Sequence, residues 1–372
     1  MIKIRRVQTS RDMDAFIELP GRLMADDANY VAPLKLERRQ SLSAKTNPFF
    51  NYADVAFWLA FEDGKPVGRI SAQDDRRIPG IGHFGMVMAK DDPAVFAALF
   101  DEAEAWLGER GLARVQGPFD LSINEEIGTL VDGFDTPPML MMGHNPRYTG
   151  ARIEEQGYGR LKDVHAYLYN ADEHTPKWIE RVQKRPPPKN VKLRSLDQKN
   201  YDRDLASIVD IFNDAWSGNW GFIPFAKDEM EALAKAMKPL LEADMVPIVE
   251  VDGEPVGFGV CLPNLNEATR DLRGRIAPFG WTKLLWRLKV SGVATGRVPL
   301  MGFRKKISET ALGSLLPFLV MNQIREQAMK RGIRRIEMSW VLEDNMPMRH
   351  LGESLSGGKP YKTYRLYKKT LA

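Results

Sequence analysis

The sequence predicts an α/β protein made of two tandem modules, each a mixed sheet flanked by helices. Three recurrences carry that expectation. A hairpin, a glycine-terminated helix with its following strand, and an asparagine-led short helix with its closing strand each occur twice, in the same order. One such match is common by chance; three in sequence are not. The length of 372 residues also exceeds a usual single domain of ~100–200 residues.

The hairpins come first. Residues 57–72 and 248–262 each read as an apolar strand, an Asp-Gly turn, a Pro-Val-Gly and a second apolar strand. Asp-Gly between β-rich runs, here Asp63-Gly64 and Asp252-Gly253, is a strong hairpin signal. The long helices follow. Val95, Leu99, Ala103, Trp106 and Leu107 fall at helical spacing and stop at Arg110-Gly111; Leu315, Phe318, Leu319, Ile324 and Ala328 do so before Arg331-Gly332. Glycine there suits a left-handed helix end. A strand is expected after each, over 112–116 and 333–340. Then Asn145-Pro146 and Asn345-Met346-Pro347 each open a short helix. Gly157 and Gly357 close those helices, and aromatic strands over 164–169 and 361–367 end each half.

Arg185-Pro186-Pro187-Pro188-Lys189 has to be extended. The modules are therefore placed at 1–170 and 191–372, with a Pro-rich linker at 171–190. Unequal spacing between matched residues puts extra chain at 268–303 in the second half and within 117–141 in the first. Such additions are where a shared scaffold carries its chemistry.

Composition excludes several classes. Apolar residues at 44% and charged residues at 27% describe a globular chain, not a disordered one. A net charge of +4 argues against a nucleic-acid coat. The single Cys261 rules out a disulfide framework and a multi-cysteine zinc site, and points to a reducing compartment. Five histidines without a His-x-x-x-His pair make a metal site unexpected. No P-loop, Rossmann glycine pattern or Gly-x-Ser-x-Gly elbow is present. The first residues lack the apolar core of a signal peptide, and no long apolar run predicts a spanning helix, so a cytoplasmic location is expected.

The order helix, hairpin, strand, long helix, strand, helix, strand resembles the GNAT acyltransferase fold, whose members move acyl groups from coenzyme A to amines. The second half matches best: residues 336–345 resemble the family's fifth strand and its asparagine, and the helix, Gly357 and strand that follow resemble its ending. Two features depart. The family's glycine loop is replaced by Ile307-Ser308-Glu309-Thr310-Ala311-Leu312 and by Asp91-Asp92-Pro93-Ala94-Val95-Phe96, and Gly352 stands near the usual helix tyrosine. Wider motifs are more specific: Asn-Pro-Phe-Phe at 47–50, Gly-Pro-Phe-Asp-Leu-Ser-Ile-Asn-Glu-Glu-Ile-Gly at 117–128, Asn-Pro-Arg-Tyr at 145–148 and Ala-Trp-Ser-Gly-Asn-Trp-Gly-Phe-Ile-Pro at 215–224. Together they resemble the tandem GNAT-like family that includes bacterial ceramide synthases. The resemblance implies an acyl-CoA donor, no metal, and the amine of a long-chain sphingoid base as acceptor. An amino acid or small amine as acceptor, or a non-catalytic scaffold that binds acyl-CoA or a membrane, are the alternatives.

Residue chemistry distributes these roles. Phosphates suit a helix N-terminus with nearby cations. Arg304, Lys305 and Lys306, with Ser308 and Thr310 as hydroxyl donors or caps, precede the second long helix, whereas Asp91 and Asp92 precede the first. The acyl-CoA is thus expected in the second module. Asn345 either bonds the pantetheine arm or caps its helix. The acidic loop offers Asn124, Glu125, Glu126 and Asp132. Glu126 or Glu125 could remove a proton from the amine or hold it as an ammonium, Asn124 and Asp132 could line the acceptor, and all could equally be turn residues. Tyr148 is a candidate proton donor to the leaving thiolate, or else a packed aromatic. Trp216, Asn219 and Trp220 are candidate acceptor-lining residues, or core. In the 268–303 insertion, Trp281, Leu284, Leu285 and Leu288 repeat at helical spacing, and residues 281–306 hold seven basic residues and no acidic one. That pattern suits an amphipathic helix at the inner-membrane surface, or an ordinary packed helix.

Overall fold

The structure is a computed structural model and describes residues 1–172, 186–238, 241–276 and 278–371. Most of the expected linker, residues 173–185, lies outside the described residues.

The first half runs β1 (Lys3–Arg6), α1 (Ser10–Leu23), α2 (Lys35–Ser41), β2 (Ala53–Glu62), β3 (Lys65–Asp75), β4 (Ile81–Ala89), α3 (Pro93–Gly108), β5 (Arg114–Gly117), β6 (Thr129–Asp132), α4 (Thr149–Glu154) and β7 (Gly159–Asn170). The second runs β8 (Val191–Ser195), α5 (Tyr201–Trp216), α6 (Lys227–Met237), β9 (Pro247–Val251), β10 (Glu254–Pro263), α7 (Leu265–Thr269), α8 (Gly280–Trp286), β11 (Thr295–Phe303), α9 (Lys305–Ser308), α10 (Ala311–Lys330), β12 (Arg335–Leu342), α11 (Met346–Ser356) and β13 (Lys362–Thr370). Both Asp-Gly pairs turn through the left-handed region, with φ of 49° and 75° at Asp63-Gly64 and 53° and 86° at Asp252-Gly253. That geometry follows the right-handed twist of the strands they join. Gly111 and Gly332 lie just past their helices with φ of 73° and 81°.

Contacts divide the chain into two compact units that do not follow sequence order. One comprises Met1–His165, Thr269–Thr282 and Lys362–Ala372; the other comprises Ala166–Ala268 and Lys283–Tyr361. In the first unit the strands lie in the order β1-β2-β3-β4-β5-β13, and β6 also pairs with β13. β13 runs antiparallel to β5, with Tyr367 opposite Gly117. In the second unit the end of β7 lies beside β12, followed by β11, β10, β9 and β8. The closing strand of each half therefore serves the other half's core. Tyr367 packs with Phe84, Phe96, Leu99 and Phe100, while Tyr167 and Tyr169 pack with Val249, Leu316 and Met338. An alternating aromatic strand buries one face against whichever sheet edge it meets. For that reason the division at 1–170 and 191–372 describes the repeat but not these compact units.

The insertion is also shorter than expected. Residues 295–303 are β11, the fourth strand of the repeat, so the added chain is the 264–294 connection, against 76–80 in the first half. Its stretch Thr269–Thr282 belongs to the first unit. There the Lys35 amide donates to the Gly274 carbonyl at 2.9 Å, and Arg270 donates to the Ala28 carbonyl at 2.5 Å. Gly274 has φ of 78°, and a Cβ on it would lie 2.7 Å from the Pro33 carbonyl oxygen.

The two units treat their central parallel pair differently. β11 and β12 pair from Thr295–Arg335 to Val298–Met338, yet run on to Phe303 and Leu342. In the first unit β4 and β5 pair only from Ile81–Arg114 to His83–Gln116, and the chain after β5 closes over β4: the Phe119 amide donates to the Phe84 carbonyl at 2.9 Å. A Cβ on Gly85 would lie 1.7 Å from the Phe119 carbonyl oxygen. Among the described residues no helix is long and apolar enough to cross a membrane.

These contacts set an opposed pair of outcomes. Gly85→Ala lowers stability by about 1–3 kcal/mol through overpacking. Gly108→Ala, with nothing within 4 Å of its Cβ and a helical position, raises it by about 0.5–1 kcal/mol. Denaturant midpoints at constant m-value check both.

Candidate active site

Residues 118–128 form a closed loop after β5. Phe119 bridges Ile127, the Asp120 amide donates to the Glu126 carbonyl at 2.8 Å, and the Gly128 amide donates to the Pro118 carbonyl at 2.9 Å. The loop leans on a bulge in β4, where the register to β3 shifts between Arg69 and Ser71. Met86 at that bulge has φ of 51°, and Asp120 accepts its amide hydrogen at 3.1 Å. Leu121 also sits in the left-handed region, at φ of 85°.

Arg38 enters this loop from α2. Its guanidinium donates to Glu126 at 2.5 Å and lies 3.7 Å from Asp120 Oδ2. α2 is itself held by Arg39 donating to Asp14 at 2.6 Å and Lys35 donating to Glu18 at 2.6 Å. Burial would weaken the Arg38 charge, but Glu126, Glu37 and Asp120 keep it protonated. Burial pushes Asp120 up to about 6, with Glu126 adding to the effect and Arg38 opposing it. Burial pushes Glu125 up to about 8, against the pull of Arg38. Burial likewise draws Arg69 down to about 10 and lifts Tyr30 to about 12. Glu125 is half-buried and makes no side-chain hydrogen bond among the described residues. Four carboxylates (Glu37, Asp120, Glu125, Glu126) thus share space with two guanidinium groups, an arrangement that favours a cation or a carboxyl group ready to exchange a proton.

The sequence marked Glu125 and Glu126 but not Arg38 or Asp120. Asn124 lies in the same loop, its amide held by the Ser122 hydroxyl at 3.2 Å. Asp132 is exposed at the end of β6, in register with Thr363. Tyr148 donates its hydroxyl to the Ala89 carbonyl at 2.7 Å and sets its ring edge-on to Phe96. In this arrangement the hydroxyl hydrogen points at a backbone carbonyl. His144 pairs with Asp27 at 2.9 Å, and burial lowers its basicity.

In the second unit the basic run is largely engaged. Arg304 bonds Asp210 at 2.5 Å and the Pro255 carbonyl at 3.1 Å. Lys305 bonds Ser217 at 2.7 Å, and its amide donates to Asp214 at 2.8 Å. Lys306 has no polar partner among the described residues. Ser308 bonds back to the Phe303 and Arg304 carbonyls at 3.2 Å, and Thr310 caps α10 by accepting from the Gly313 amide. Asn345 caps α11 by accepting from the Met348 amide at 3.3 Å. Trp216 stacks on Phe212 at 4.6 Å and fills the space a Cβ on Gly302 would need, which is a core role. Asn219 and Trp220 follow in the turn after α5, the Asn219 amide bonding the Trp216 carbonyl. Where β11 and β12 part, buried Arg297 donates to Ser339 at 2.8 Å, and Ser339 and Tyr361 both donate to Glu337.

The helical stretch 280–291 has two apolar sides. Leu284 and Leu288 pack on the core, whereas Trp281, Leu285, Trp286 and Val290, with Phe279 before them, are 50–78% exposed. Arg287 donates to the Ala268 carbonyl and Lys289 pairs with Glu242, each at 2.7 Å.

No family model matches the chain. It is 50% identical over 371 residues to "Bacterial ceramide synthase" of Caulobacter vibrioides (strain NA1000 / CB15N), spanning 98% of this chain and 96% of that protein. It is 42% identical over 378 residues to "Protein YghO" of Escherichia coli (strain K12), spanning 99% and 95%. Among solved structures it resembles a tandem GNAT protein from the clavulanic acid biosynthesis pathway, with a TM-score of 0.62, 12% identity and coverage of 100% and 98%. It also resembles a GCN5-related N-acetyltransferase from Sphaerobacter thermophilus, with a TM-score of 0.56, 13% identity and coverage of 99% and 95%. The fold is two tandem GNAT-like modules.

The structural assignments of Tyr148 and Asn345 have a direct check. Tyr148→Phe removes one partly buried hydrogen bond and lowers stability by about 1 kcal/mol. Asn345→Ala removes a helix cap at a similar cost of about 1 kcal/mol, and Asn345→Asp restores it. Thermal melts of the three variants measure these changes.

Proposed function

The chain belongs to the tandem GNAT-like acyltransferase family that includes bacterial ceramide synthases, and we propose that it is an N-acyltransferase using acyl-CoA to acylate the amine of a long-chain sphingoid base. The observation that carries this reading is Glu125: a half-buried carboxyl, without a side-chain hydrogen bond among the described residues and pushed up to about 8, beside carboxylates that outnumber their arginines.

In this reading the carboxylates draw in the ammonium head of the acceptor, and ionised Glu125 takes its proton. The neutral nitrogen then attacks the thioester carbonyl carbon. The tetrahedral adduct collapses as the C–S bond breaks, and the second proton shed by the nitrogen passes to the departing sulfur, so that coenzyme A leaves as its thiol. Glu126, paired with Arg38, contributes negative potential. Asn124 and Asp132 border the acceptor. The donor is assigned to the second module, where β11 and β12 run on past their last shared pair. Unpaired strand edges suit the two amides of a pantetheine arm, whereas the corresponding edge of the first module is closed by Phe119. Lys306 is the residue of the basic run left for a phosphate; Arg304 and Lys305 would have to exchange their present partners. No metal takes part in these steps.

Exposed tryptophans and leucine beside basic residues on 280–291 support docking on the inner-membrane surface, from which a lipid acceptor is taken and to which the product returns. In this reading the protein works at the cytoplasmic face of that membrane.

Two measurements test the proposal. Purified protein is incubated with acyl-CoA and a panel of amines, and thiol release is followed. Release with sphingoid base and not with amino acids or short amines is expected; no release with any amine overturns the reading. Because Glu125 acts as a base, activity rises as it loses its proton, so kcat/KM climbs with pH through about 8. Glu125→Gln removes that limb and about 100-fold or more of the rate. For the membrane contact, flotation with anionic liposomes is expected to fall in the Trp281→Ala/Trp286→Ala double variant; undiminished flotation sinks the docking helix.

A further inference from the structure

We propose that Arg38 and Asp120 are positioning residues for this reaction, holding the turn that carries Glu125 in two ways, Arg38 by reaching it from α2 and Asp120 by tying it to the bulge of β4. This rests on the N-acylation reading above and assigns roles within the same site.

The ties are specific. Arg38 donates to Glu126 at 2.5 Å and lies 3.7 Å from one oxygen of Asp120. The other oxygen of Asp120 accepts the Met86 amide at 3.1 Å. The amide of Asp120 bonds the carbonyl of Glu126 at 2.8 Å. Residues 120 and 126 bracket Glu125, and both are fixed through backbone and side chain. Glu125 is the acid of this loop that none of these bonds uses. The backbone here is also one the surroundings must impose: Met86 and Leu121 are non-glycine residues at φ of 51° and 85°. A carboxylate accepting from the Met86 amide makes a charge-assisted bond that a neutral side chain makes more weakly.

The charges around Glu125 give the roles a signature. Arg38 and Glu37 face it from α2, and Glu126 and Asp120 face it from its own loop. Tyr30 and Arg69 stand behind, facing Arg38 and Asp120. Arg38 favours the ionised form of Glu125; Asp120, Glu126 and Glu37 oppose it. Removing Asp120's charge therefore eases ionisation, and removing Arg38's hinders it.

The experiment is kcat/KM against pH, with sphingoid base and acyl-CoA, for the wild type, Asp120→Asn, Arg38→Met and Arg38→Lys. Asp120→Asn keeps an acceptor for the Met86 amide and moves the rising limb down by about one pH unit. Arg38→Met moves it up by about the same amount, and Arg38→Lys returns it toward the wild-type position at reduced kcat, since an ammonium lacks the two-pronged geometry. Equal loss of activity in all variants with the limb unmoved overturns the proposal, because a merely structural role scales the rate without shifting it. Should Arg38→Met fail to fold, Asp120→Asn decides alone. Failure of the parent reading looks different: the limb then survives in Glu125→Gln. A limb that Glu125→Gln abolishes and Asp120→Asn leaves in place sinks the positioning roles only.

Discussion

An enclosed guanidinium has to be balanced where it lies, and Arg38 is balanced by a loop that begins 80 residues further along the chain. The Arg38, Glu126 and Asp120 side chains are only 17–23% exposed, so leaving one of these charges unopposed is costly, with about 3–5 kcal/mol as the upper bound set by fully buried pairs. The loop's shape follows from that demand. Glu126 has to reach Arg38, so residues 120 and 126 come together across the bridge between Phe119 and Ile127. Asp120 is then drawn against the β4 bulge, where it satisfies an amide that the irregular backbone of Met86 leaves without a strand partner. Glu125, on the crest between them, is the acid that this balance does not use.

The local elements were legible because each has a local cause. Asp63-Gly64 and Asp252-Gly253 turn hairpins because both central positions need a left-handed backbone, and Gly111 and Gly332 end helices for the same reason. Cys261, on the apolar second strand of its hairpin, is buried in the core. The candidate site was half legible. Two adjacent acids in a Gly- and Pro-rich loop stand out from sequence, but Arg38 sits in Lys-Leu-Glu-Arg-Arg-Gln-Ser, which reads as a solvated helical turn until its distant partner is known. Arg304 and Lys305 show the reverse case. Their basic run advertises a phosphate site, and only the fold reveals Asp210, Asp214 and Ser217 beside them. Strand partners were not legible at all, since alternation specifies a buried face and not the neighbour that covers it.

The two GNAT-like modules share one scaffold and differ around their central parallel pair. In the first unit the chain after β5 folds back over β4 and fills the room that Gly85 leaves by lacking a side chain. In the second, β11 and β12 part with Arg297, Ser339, Glu337 and Tyr361 bonded where they separate. The first half carries the acid-lined loop and a closed edge; the second half carries an open edge and the 264–294 connection, part of which bonds the Lys35 amide through the Gly274 carbonyl.

The place of β13 in the first unit has a consequence in time. The strand that pairs with β5 and seats Tyr367 leaves the ribosome long after β5, once every element from β6 to α11 has been made. At ~5–20 residues per second, the nascent first unit waits on the order of ten seconds or longer with one flank of β5 unpaired. During that interval the antiparallel edge from Arg114 to Gly117 is open to any extended chain that passes. A cell making this protein therefore has reason to keep translation through the second half brisk, and to have a chaperone near the tunnel exit until β13 arrives.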